Sequence, residues 1–198
     1  SAVRDSGGKL QHYVSLFSDI TALKEQQQRL EHSAHFDALT DLPNRVLLMD
    51  RLHQAMAQSQ RRGEPMALVF LDLDGFKGVN DQYGHAQGDE LLRALATRMR
   101  AALRDGDTLA RLGGDEFVAV LVDLPDTQAC IPLLQRLLQA GAQTVQLGGR
   151  QLQVSASLGV TFFPQAVSVG ADVLLRQADQ AMYQAKLAGK NRYHLCTG

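Results

Sequence analysis

Cysteine is scarce in this chain of 198 residues, which contains only Cys130 and Cys196. Their spacing matches no metal-binding motif, and two cysteines are too few for the disulfide framework of a small secreted domain. The scarcity favours a reducing compartment, so we expect the protein to be cytoplasmic.

An excess of charge of either sign is also missing. The 20 Lys and Arg residues nearly balance the 21 Asp and Glu residues, and the formal net charge is -1 at pH 7. This composition excludes the global basic field that a nucleic-acid polymer would require. An anionic partner would therefore need a local site.

Long apolar runs are absent as well. No stretch approaches the roughly 20 apolar residues of a membrane span, and the first residues do not read as a signal peptide. The length and the 45% hydrophobic content are ordinary for one globular domain with an appendage. A membrane-associated parent protein stays open, because the start of the chain indicates a piece of a longer protein.

The first 36 residues divide into two predicted segments. Residues 1–20 end in "LQHYVSLFSDI", a strand whose sheet is missing from the chain, and we interpret it as the remnant of an upstream domain. Residues 21–36 predict a helix with Thr21 as its cap. This helix is either a solvated linker or a short coiled coil that pairs two chains. The coiled coil would use a heptad seam of Ile20, Leu23, Gln27, Leu30 and Ala34.

Residues 37–198 predict one α+β domain. Strands and helices follow each other irregularly around one hairpin, which favours an antiparallel or mixed sheet with helices packed on one side. A loop rich in Gly and Asn is predicted after the central strand. The predicted elements are helices at 45–60, 87–103, 130–143 and 171–189, strands at 66–74 and 151–164, and a hairpin at 107–123.

The central strand, "MALVFLDLD", changes abruptly from apolar to acidic. Asp72 and Asp74 share one face of the strand, because successive side chains alternate. Asp74 can be explained as the start of a turn. Asp72 follows six apolar residues, and a partly buried carboxylate without a partner is costly. A metal ion beside Asp72 would neutralise the charge.

The stretch "RLGGDEF" places two carboxylates, Asp115 and Glu116, at a hairpin tip. The tip is either an ordinary polar turn or part of a metal site. If the hairpin neighbours the central strand, Asp72 and Asp115 converge as the oxygen ligands that Mg²⁺ prefers. Gly113 and Gly114 would let a substrate approach the backbone closely.

Further polar residues suit a bound nucleotide. Lys77 lies in a loop whose backbone amides suit phosphate oxygens, and Lys186 and Lys190 share a helical face. Asn80 and Asp89 suit guanine, whose edge offers adjacent N–H donors to a carboxylate, whereas adenine offers an acceptor. Taken singly, Lys186 and Lys190 can be explained as residues of a solvent-exposed helix face. Asp89 can be explained as a negative charge that stabilises a helix N-terminus.

Five segments occur together: "DALTDLPNR", "FLDLDGFKGVNDQYGHAQGDELL", "ARLGGDEF", "VSASLGVT" and "ADQAMYQAKLAGKNRY". In their order and spacing they resemble the GGDEF-type diguanylate cyclases, over about residues 34–194. The resemblance implies a palm-like fold similar to nucleotide cyclases and polymerase palms. Its mainly antiparallel central sheet would be surrounded by helices, with the signature on a β-hairpin.

The resemblance implies that two GTP molecules condense to cyclic di-GMP and release two pyrophosphates. One domain would bind one GTP, so two domains would face each other as a homodimer, with Mg²⁺ or alternatively Mn²⁺ as cofactor. Asp72, Asp115 and Glu116 would be catalytic, Glu116 at a second metal or as the base. The other implied roles are metal binding by Asp72, the Leu73 carbonyl, Asp115 and Glu116, guanine binding by Asn80 and Asp89, phosphate binding by Phe76, Lys77, Lys186 and Lys190, and close approach at Gly113 and Gly114.

Two further likenesses concern regulation. Arg104 and Asp107 form an Arg-x-x-Asp six residues ahead of Gly113, a placement that marks a product-inhibition site for cyclic di-GMP dimers in this family. The opening strand with "DIT" resembles the end of a PAS-type sensor domain that leads into a signalling helix. The first domain helix is similar to those of tandem proteins with a downstream phosphodiesterase domain.

Two alternatives to a diguanylate cyclase exist. One is a catalytically silent module that binds GTP or cyclic di-GMP and regulates a neighbouring domain. Such relatives usually lose signature acids, which this chain retains. The other is a cyclase that forms a mononucleotide ring, which the spacing of the whole motif set disfavours.

Overall fold

The computed structural model describes residues 2–4, 6–13 and 19–196. These form two compact units, Ser1–Ala34 and His35–Gly198. In the first unit, β1 (Ala2–Arg4) pairs antiparallel with β2 (Leu10–Tyr13). The strand predicted through residue 20 is described only as far as Tyr13, because residues 14–18 lie outside the described residues.

Helix α1 (Thr21–His35) follows in the first unit, as the sequence predicts. The carboxylate of Asp19 accepts a hydrogen bond from the backbone amide of Thr21, the first residue of the helix, at 2.9 Å. The side-chain cap is therefore two residues earlier than the predicted Thr21. Ile20 and Leu30 of the proposed seam are exposed in the single chain, so the coiled coil stays a prediction.

The second unit is built on a five-stranded sheet with the order β4-β5-β3-β8-β9. All its neighbouring strands are antiparallel except β8 and β9, which are parallel. The prediction of a mainly antiparallel central sheet is thus confirmed. The strands are β3 (Met66–Asp74), β4 (Thr108–Gly113), β5 (Glu116–Leu121), β8 (Ser155–Phe163) and β9 (Tyr193–Leu195), and a separate hairpin joins β6 (Val145–Leu147) to β7 (Arg150–Leu152).

Helices cover both faces of this sheet, which confirms the helix-surrounded sheet that the family resemblance implies. The residue pattern alone predicted helices on one side. Alternate residues of β3 enter two separate apolar clusters, which explains why the strand reads as a continuous apolar run. One face carries α2 (Arg45–Arg62) and α6 (Ala171–Leu187). The other carries α3 (Phe76–Tyr83), α4 (His85–Ala101) and α5 (Ile131–Ala142), with a 3-10 turn at Thr127–Cys130 before α5.

Helix α3 replaces the loop that the sequence predicted after the central strand. Gly and Asn are weak helix formers, and their local preference favours a loop. Phe76 and Val79 nevertheless lie three residues apart and are both buried in the core, so tertiary packing stabilises the short helix. Gly75 precedes it with a left-handed φ of 85°. The turn that carries Lys77 is therefore the start of a helix.

Candidate functional site

The carboxylates of the central strand and the hairpin converge at one end of the sheet. Asp72 of β3 lies directly opposite Glu116 of β5 in the antiparallel register. The amide of Leu73 donates to the backbone carbonyl of Asp115 at 3.2 Å. The predicted neighbourhood of Asp72 and Asp115 is therefore present, on the sheet face shared with α2 and α6.

The two glycines before Asp115 have backbone conformations that other residues rarely adopt. Gly113 has a φ of 147° and Gly114 a φ of 50°. A Cβ atom at either position would meet nothing within 4 Å. The backbone conformation, rather than crowding within the chain, accounts for glycine here, and the space above the turn is open.

An excess of negative charge marks this end of the sheet. Burial raises the pKa of Asp72, and the charges of Asp115 and Asp74 add to the rise, while Lys186 opposes it. Burial also raises the pKa of Glu116, with further contributions from Asp72 and Asp115. Carboxylates that disfavour each other's ionised form are stabilised by a cation.

Lys186 of α6 provides one such cation. Its Nζ lies 2.7 Å from Oδ1 of Asp72, and both side chains are less than one-third exposed. The sequence assigned Lys186 to phosphate, and the structure places it beside a predicted metal ligand. Phosphate oxygens would offer the same ammonium group an alternative anionic partner.

The donor set fits Mg²⁺ better than a metal held by protein ligands alone. Among the residues that the structure describes, no group of three or more His, Cys, Asp or Glu is arranged to hold a metal ion. Mg²⁺ usually takes one or two protein carboxylates and completes its shell with water and substrate phosphates. Asp72 and Asp115 supply that kind of partial, all-oxygen site.

The predicted guanine residues lie at the junction of α3 and α4. The side chain of Asn80 packs against Gly88, where a Cβ would overlap its Oδ1 atom. Within the described residues this buried Oδ1 has no hydrogen-bond partner. Asp89, the next residue of α4, is exposed. An unpaired buried acceptor is unfavourable.

The predicted phosphate residues are only partly brought together. Phe76 is buried in the core, so only its backbone at the start of α3 is suited to phosphate. Lys77 and Lys190 are exposed. Lys190 lies in the turn that follows α6 and has a left-handed φ of 61°.

The Arg-x-x-Asp pair has two different environments. Asp107 is 3% exposed, and its carboxylate accepts the amides of Arg104 at 3.1 Å and Val122 at 3.2 Å. The Arg104 side chain is exposed. A cavity of about 410 Å³ lies beside the pair and is lined in part by Arg51, Gln58, Asp105 and Asp107. Asp107 thus holds the turn, and Arg104 is free to reach outwards.

Arg111 is a residue of the site that sequence reasoning missed. Its Nε and Nη2 donate to the carbonyl of Gly114 at 3.0 and 2.7 Å, and Nη1 donates to Asp37 at 2.9 Å. Asp37 also accepts the amide and the hydroxyl of Thr40. This Arg111–Asp37 clamp fixes the signature turn. Both residues stand in the family motifs, which was the available signal.

Replacing Asp37 by asparagine should lower the free energy of unfolding at neutral pH by about 1–3 kcal/mol. Burial acts to raise the pKa of Asp37, but hydrogen bonds from Thr40 and Arg111 outweigh it, and the pKa lies below 3.8. The contribution of the carboxylate is therefore present above pH 3.8 and is lost as the pH falls through the lowered pKa.

Urea denaturation across a pH series would check this expectation. The wild type and Asp37→Asn should differ at neutral pH and converge in strong acid. Asp81→Asn, which removes an exposed charge from α3, controls for the loss of charge itself. A difference that stays constant down to strong acid would contradict the assignment.

Asp179 and Arg45 are two further charged residues that the sequence did not single out. The charge of Asp179 on α6 adds to the rise in the pKa of Glu116, whereas Arg45 at the start of α2 opposes it. Both side chains are exposed. They extend the charged surface around Glu116 from the sheet to both helices of that face.

Comparison with known proteins agrees with this arrangement. The profile of the family described as "Diguanylate cyclase, GGDEF domain" matches residues 34–192. The chain belongs to the GGDEF family. Its palm-like α+β fold and the hairpin that carries the signature are those of this family, as the sequence predicted.

A curated relative of this GGDEF domain is the "bifunctional diguanylate cyclase/cyclic di-GMP phosphodiesterase MucR" of Pseudomonas aeruginosa. The two are 43% identical over 173 residues, which is 87% of this chain and 25% of MucR. The chain thus spans about a quarter of that relative.

Similar solved structures include two GGDEF domains. The GGDEF domain of TpbB (YfiN) from Pseudomonas aeruginosa has a TM-score of 0.78 and 35% identity, covering 82% of this chain and 95% of that one. The coiled coil and GGDEF domain of DgcB from Caulobacter crescentus, in complex with cyclic di-GMP, has a TM-score of 0.77 and 26% identity. The match covers 89% of this chain and 93% of the DgcB chain.

In the part of the chain that the structure describes, no helix is both long enough and apolar enough to cross a bilayer.

Proposed function

We propose that this GGDEF domain is an active diguanylate cyclase, which condenses two GTP into cyclic di-GMP and releases two pyrophosphates. The observation that carries the proposal is the convergence of Asp72, Asp115 and Glu116 at one end of the sheet, with Lys186 beside them. The diguanylate cyclase activity in the name of MucR supports it. A reaction on GTP suits the cytoplasm, where we place the domain.

Asp72, the Leu73 carbonyl and Asp115 would hold Mg²⁺, with Mn²⁺ as an alternative. When bound, the metal would neutralise charge that develops on the transferred phosphate. The residues around it hold and orient the triphosphate. The amides at the start of α3 and the ammonium groups of Lys77, Lys186 and Lys190 would bind its oxygens.

The reaction would begin with the 3′-hydroxyl of one GTP attacking the α-phosphorus of the other. Glu116 would sit at a second metal or accept the proton of that hydroxyl. Its pKa is raised above the ordinary 4.5 by burial and by neighbouring carboxylates, and a higher pKa makes a carboxylate a better proton acceptor near neutrality. One domain would supply one GTP, so we propose a homodimer in which two sites face each other.

Asn80 and Asp89 would select guanine. The exposed carboxylate of Asp89 suits the two adjacent N–H donors of the guanine edge. The amide side chain of Asn80 would provide a further hydrogen bond to the base. Adenine presents an acceptor in place of a donor and would leave the oxygens of Asp89 unpaired.

Calorimetry with GTP combined with a turnover assay separates an active cyclase from a silent binding module. We expect both GTP binding and formation of cyclic di-GMP in the presence of Mg²⁺. Binding of GTP or of cyclic di-GMP without turnover, in a dimeric sample freed of bound nucleotide, would favour the module. A monomeric cyclic product would indicate a mononucleotide cyclase.

Product inhibition through Arg104 is part of the proposal, supported by the DgcB structure, which was determined with cyclic di-GMP. Arg104→Ala should raise the concentration of cyclic di-GMP that halves the rate by at least about tenfold, because a charged hydrogen-bonding group is removed. Arg104 is a cleaner test than Asp107, whose substitution would also disturb the turn that it holds.

The measurement is initial rate against added cyclic di-GMP. Arg61→Ala, an exposed arginine at the end of α2, makes the same change of charge and should leave the inhibition curve in place. Inhibition that is identical in Arg104→Ala and wild type would refute the assignment.

The segment before the domain is proposed as a connection to regulation. Residues 1–20 would be the end of an upstream sensor domain, and residues 21–36 the helix that sets how two domains, each within residues 37–198, meet. The chain spans about a quarter of MucR, so a longer parent protein with further domains fits this arrangement.

A further inference from the structure

Asp74, at the end of β3, has a buried carboxylate that accepts three hydrogen bonds. It is 9% exposed. Its Oδ1 accepts the hydroxyl of Ser157 at 2.8 Å, and its Oδ2 accepts the hydroxyl of Ser155 at 2.8 Å and the backbone amide of Asn191 at 3.2 Å. Both serines belong to β8, the neighbouring strand. Each oxygen of Asp74 is therefore engaged by donors from the protein.

The bond to Asn191 reaches the turn that carries Lys190. Lys190 and Asn191 both have left-handed backbone conformations, with φ of 61° and 48°. Such conformations are unfavourable for lysine and less so for asparagine, and they persist where the surroundings hold them. Here the amide of Lys190 donates to Ala185 of α6, and the carbonyl of Arg192 accepts the amide of Leu158 of β8. Asp74 holds the middle of the turn.

We propose that Asp74 is a positioning residue that sets the Lys190 turn, and thereby the phosphate end of the substrate site. This rests on the proposed function, in which Lys190 contacts the GTP phosphates. Asp72, two residues earlier, faces Lys186 and the hairpin acids. The two aspartates of the strand end thus have different tasks: Asp72 holds the reactive centre, and Asp74 holds the turn beside it.

Asparagine at position 74 tests this link selectively. The side-chain amide of Asp74→Asn can lie in either of two orientations. With its nitrogen at the Oδ2 position, the hydroxyl of Ser155 can rotate to accept a bond but the backbone amide of Asn191 cannot. With its oxygen there, the Asn191 amide has a neutral acceptor in place of a charged one, and that hydrogen bond is weaker. In both orientations Asp74→Asn keeps the volume of the side chain and removes the charge-assisted contact to the turn.

Two measurements on wild type and Asp74→Asn test the proposal. The first is hydrogen exchange at the amide of Asn191, which should become faster in the variant. The second is the affinity for a GTP analogue with a methylene bridge between the α- and β-phosphates, in the presence of Mg²⁺. It should fall about tenfold in Asp74→Asn, which corresponds to one lost charge-assisted hydrogen bond.

A double-mutant cycle with Lys190→Met decides whether Asp74 acts through Lys190. If it does, Asp74→Asn should cause little further loss of affinity when Lys190 is already replaced. Thr161→Val is the matched control, because it removes the hydrogen bonds of another buried β8 hydroxyl, which donates to Gln177 and accepts from Gln165. It should lower the melting temperature while leaving the affinity unchanged.

Any one of three results would overturn the proposal. These are an unchanged rate of hydrogen exchange at Asn191, an unchanged affinity of Asp74→Asn for the analogue, and additive losses of affinity in the double variant. An equal loss of affinity in Thr161→Val would also overturn it, by attributing the effect to general destabilisation. Failure of the wild-type protein to bind the analogue would have a different meaning. It would overturn the proposed function, and the phosphate role of Asp74 with it, while the exchange measurement would still report on the turn.

Discussion

Replacing Asp115 by asparagine should lower the rate of cyclic di-GMP formation by about a hundredfold to a thousandfold. The substitution keeps the size of the side chain and removes one negative charge from the end of the sheet where Asp72 and Glu116 also lie. The proposed Mg²⁺ depends on that charge, and so does stabilisation of the transferred phosphate.

The stability of Asp115→Asn should not fall with its activity. The charge of Asp115 contributes to the raised pKa of both Asp72 and Glu116, so its removal relieves repulsion in the free protein. We expect a melting temperature equal to or above that of the wild type, which is typical of a site that trades stability for function. The loss of rate then cannot be attributed to unfolding.

The matched control is Asp115→Glu, which keeps the charge on a longer side chain. It should retain a substantial part of the wild-type rate, because it keeps the negative charge on which the proposed Mg²⁺ depends. The measurement is the initial rate at saturating GTP and Mg²⁺ for the three proteins. Equal rates in wild type and Asp115→Asn would contradict the role of Asp115.

Replacing Gly159 by alanine should destabilise the domain by about 3 kcal/mol or more, since overpacking against backbone atoms has no easy relaxation. Gly159 lies in the middle of β8, and the Cβ would overlap the carbonyl oxygen of Ala178 and the amide nitrogen of Met182 on α6. Helix α6 would have to move away from the sheet. Because α6 also carries Lys186, the binding of GTP should weaken together with stability.

Thermal denaturation would check the effect, which should lower the melting temperature by about 10 °C for a domain of this size. Gly78→Ala in α3 is the control, because a Cβ there would meet nothing within 4 Å. That substitution should be neutral or slightly stabilising, since alanine is the better helix former. A Gly159→Ala protein as stable as the wild type would show that α6 does not pack as described.

The parts of the fold that were predicted correctly have strong local signals. The strand β3 is buried on both faces and reads as an apolar run, and the Gly-Gly pair marks the hairpin. Helix α3 was missed because its composition favours a loop, and only the burial of Phe76 and Val79 makes it helical. The covering of both sheet faces and the short β6–β7 hairpin also depend on packing, which local periodicity does not encode.

The candidate site also has a part that local sequence predicts and a part that depends on residues distant in sequence. Asp72, Asp115 and Glu116 were predicted from their position at a strand end and a turn. The contacts of Arg111 and Asp74 were not, because their partners are distant in sequence: Asp37 is 74 residues from Arg111, and Asn191 is 117 residues from Asp74. No spacing rule connects such pairs, and only the fold brings them together.

The most direct test of the central claim is to identify the products that the purified protein forms from GTP and Mg²⁺. Mass spectrometry combined with a pyrophosphate assay gives both the identity and the ratio of the products. We predict cyclic di-GMP with two pyrophosphates for each molecule formed. The absence of cyclic di-GMP from a dimeric sample freed of bound nucleotide would contradict the account.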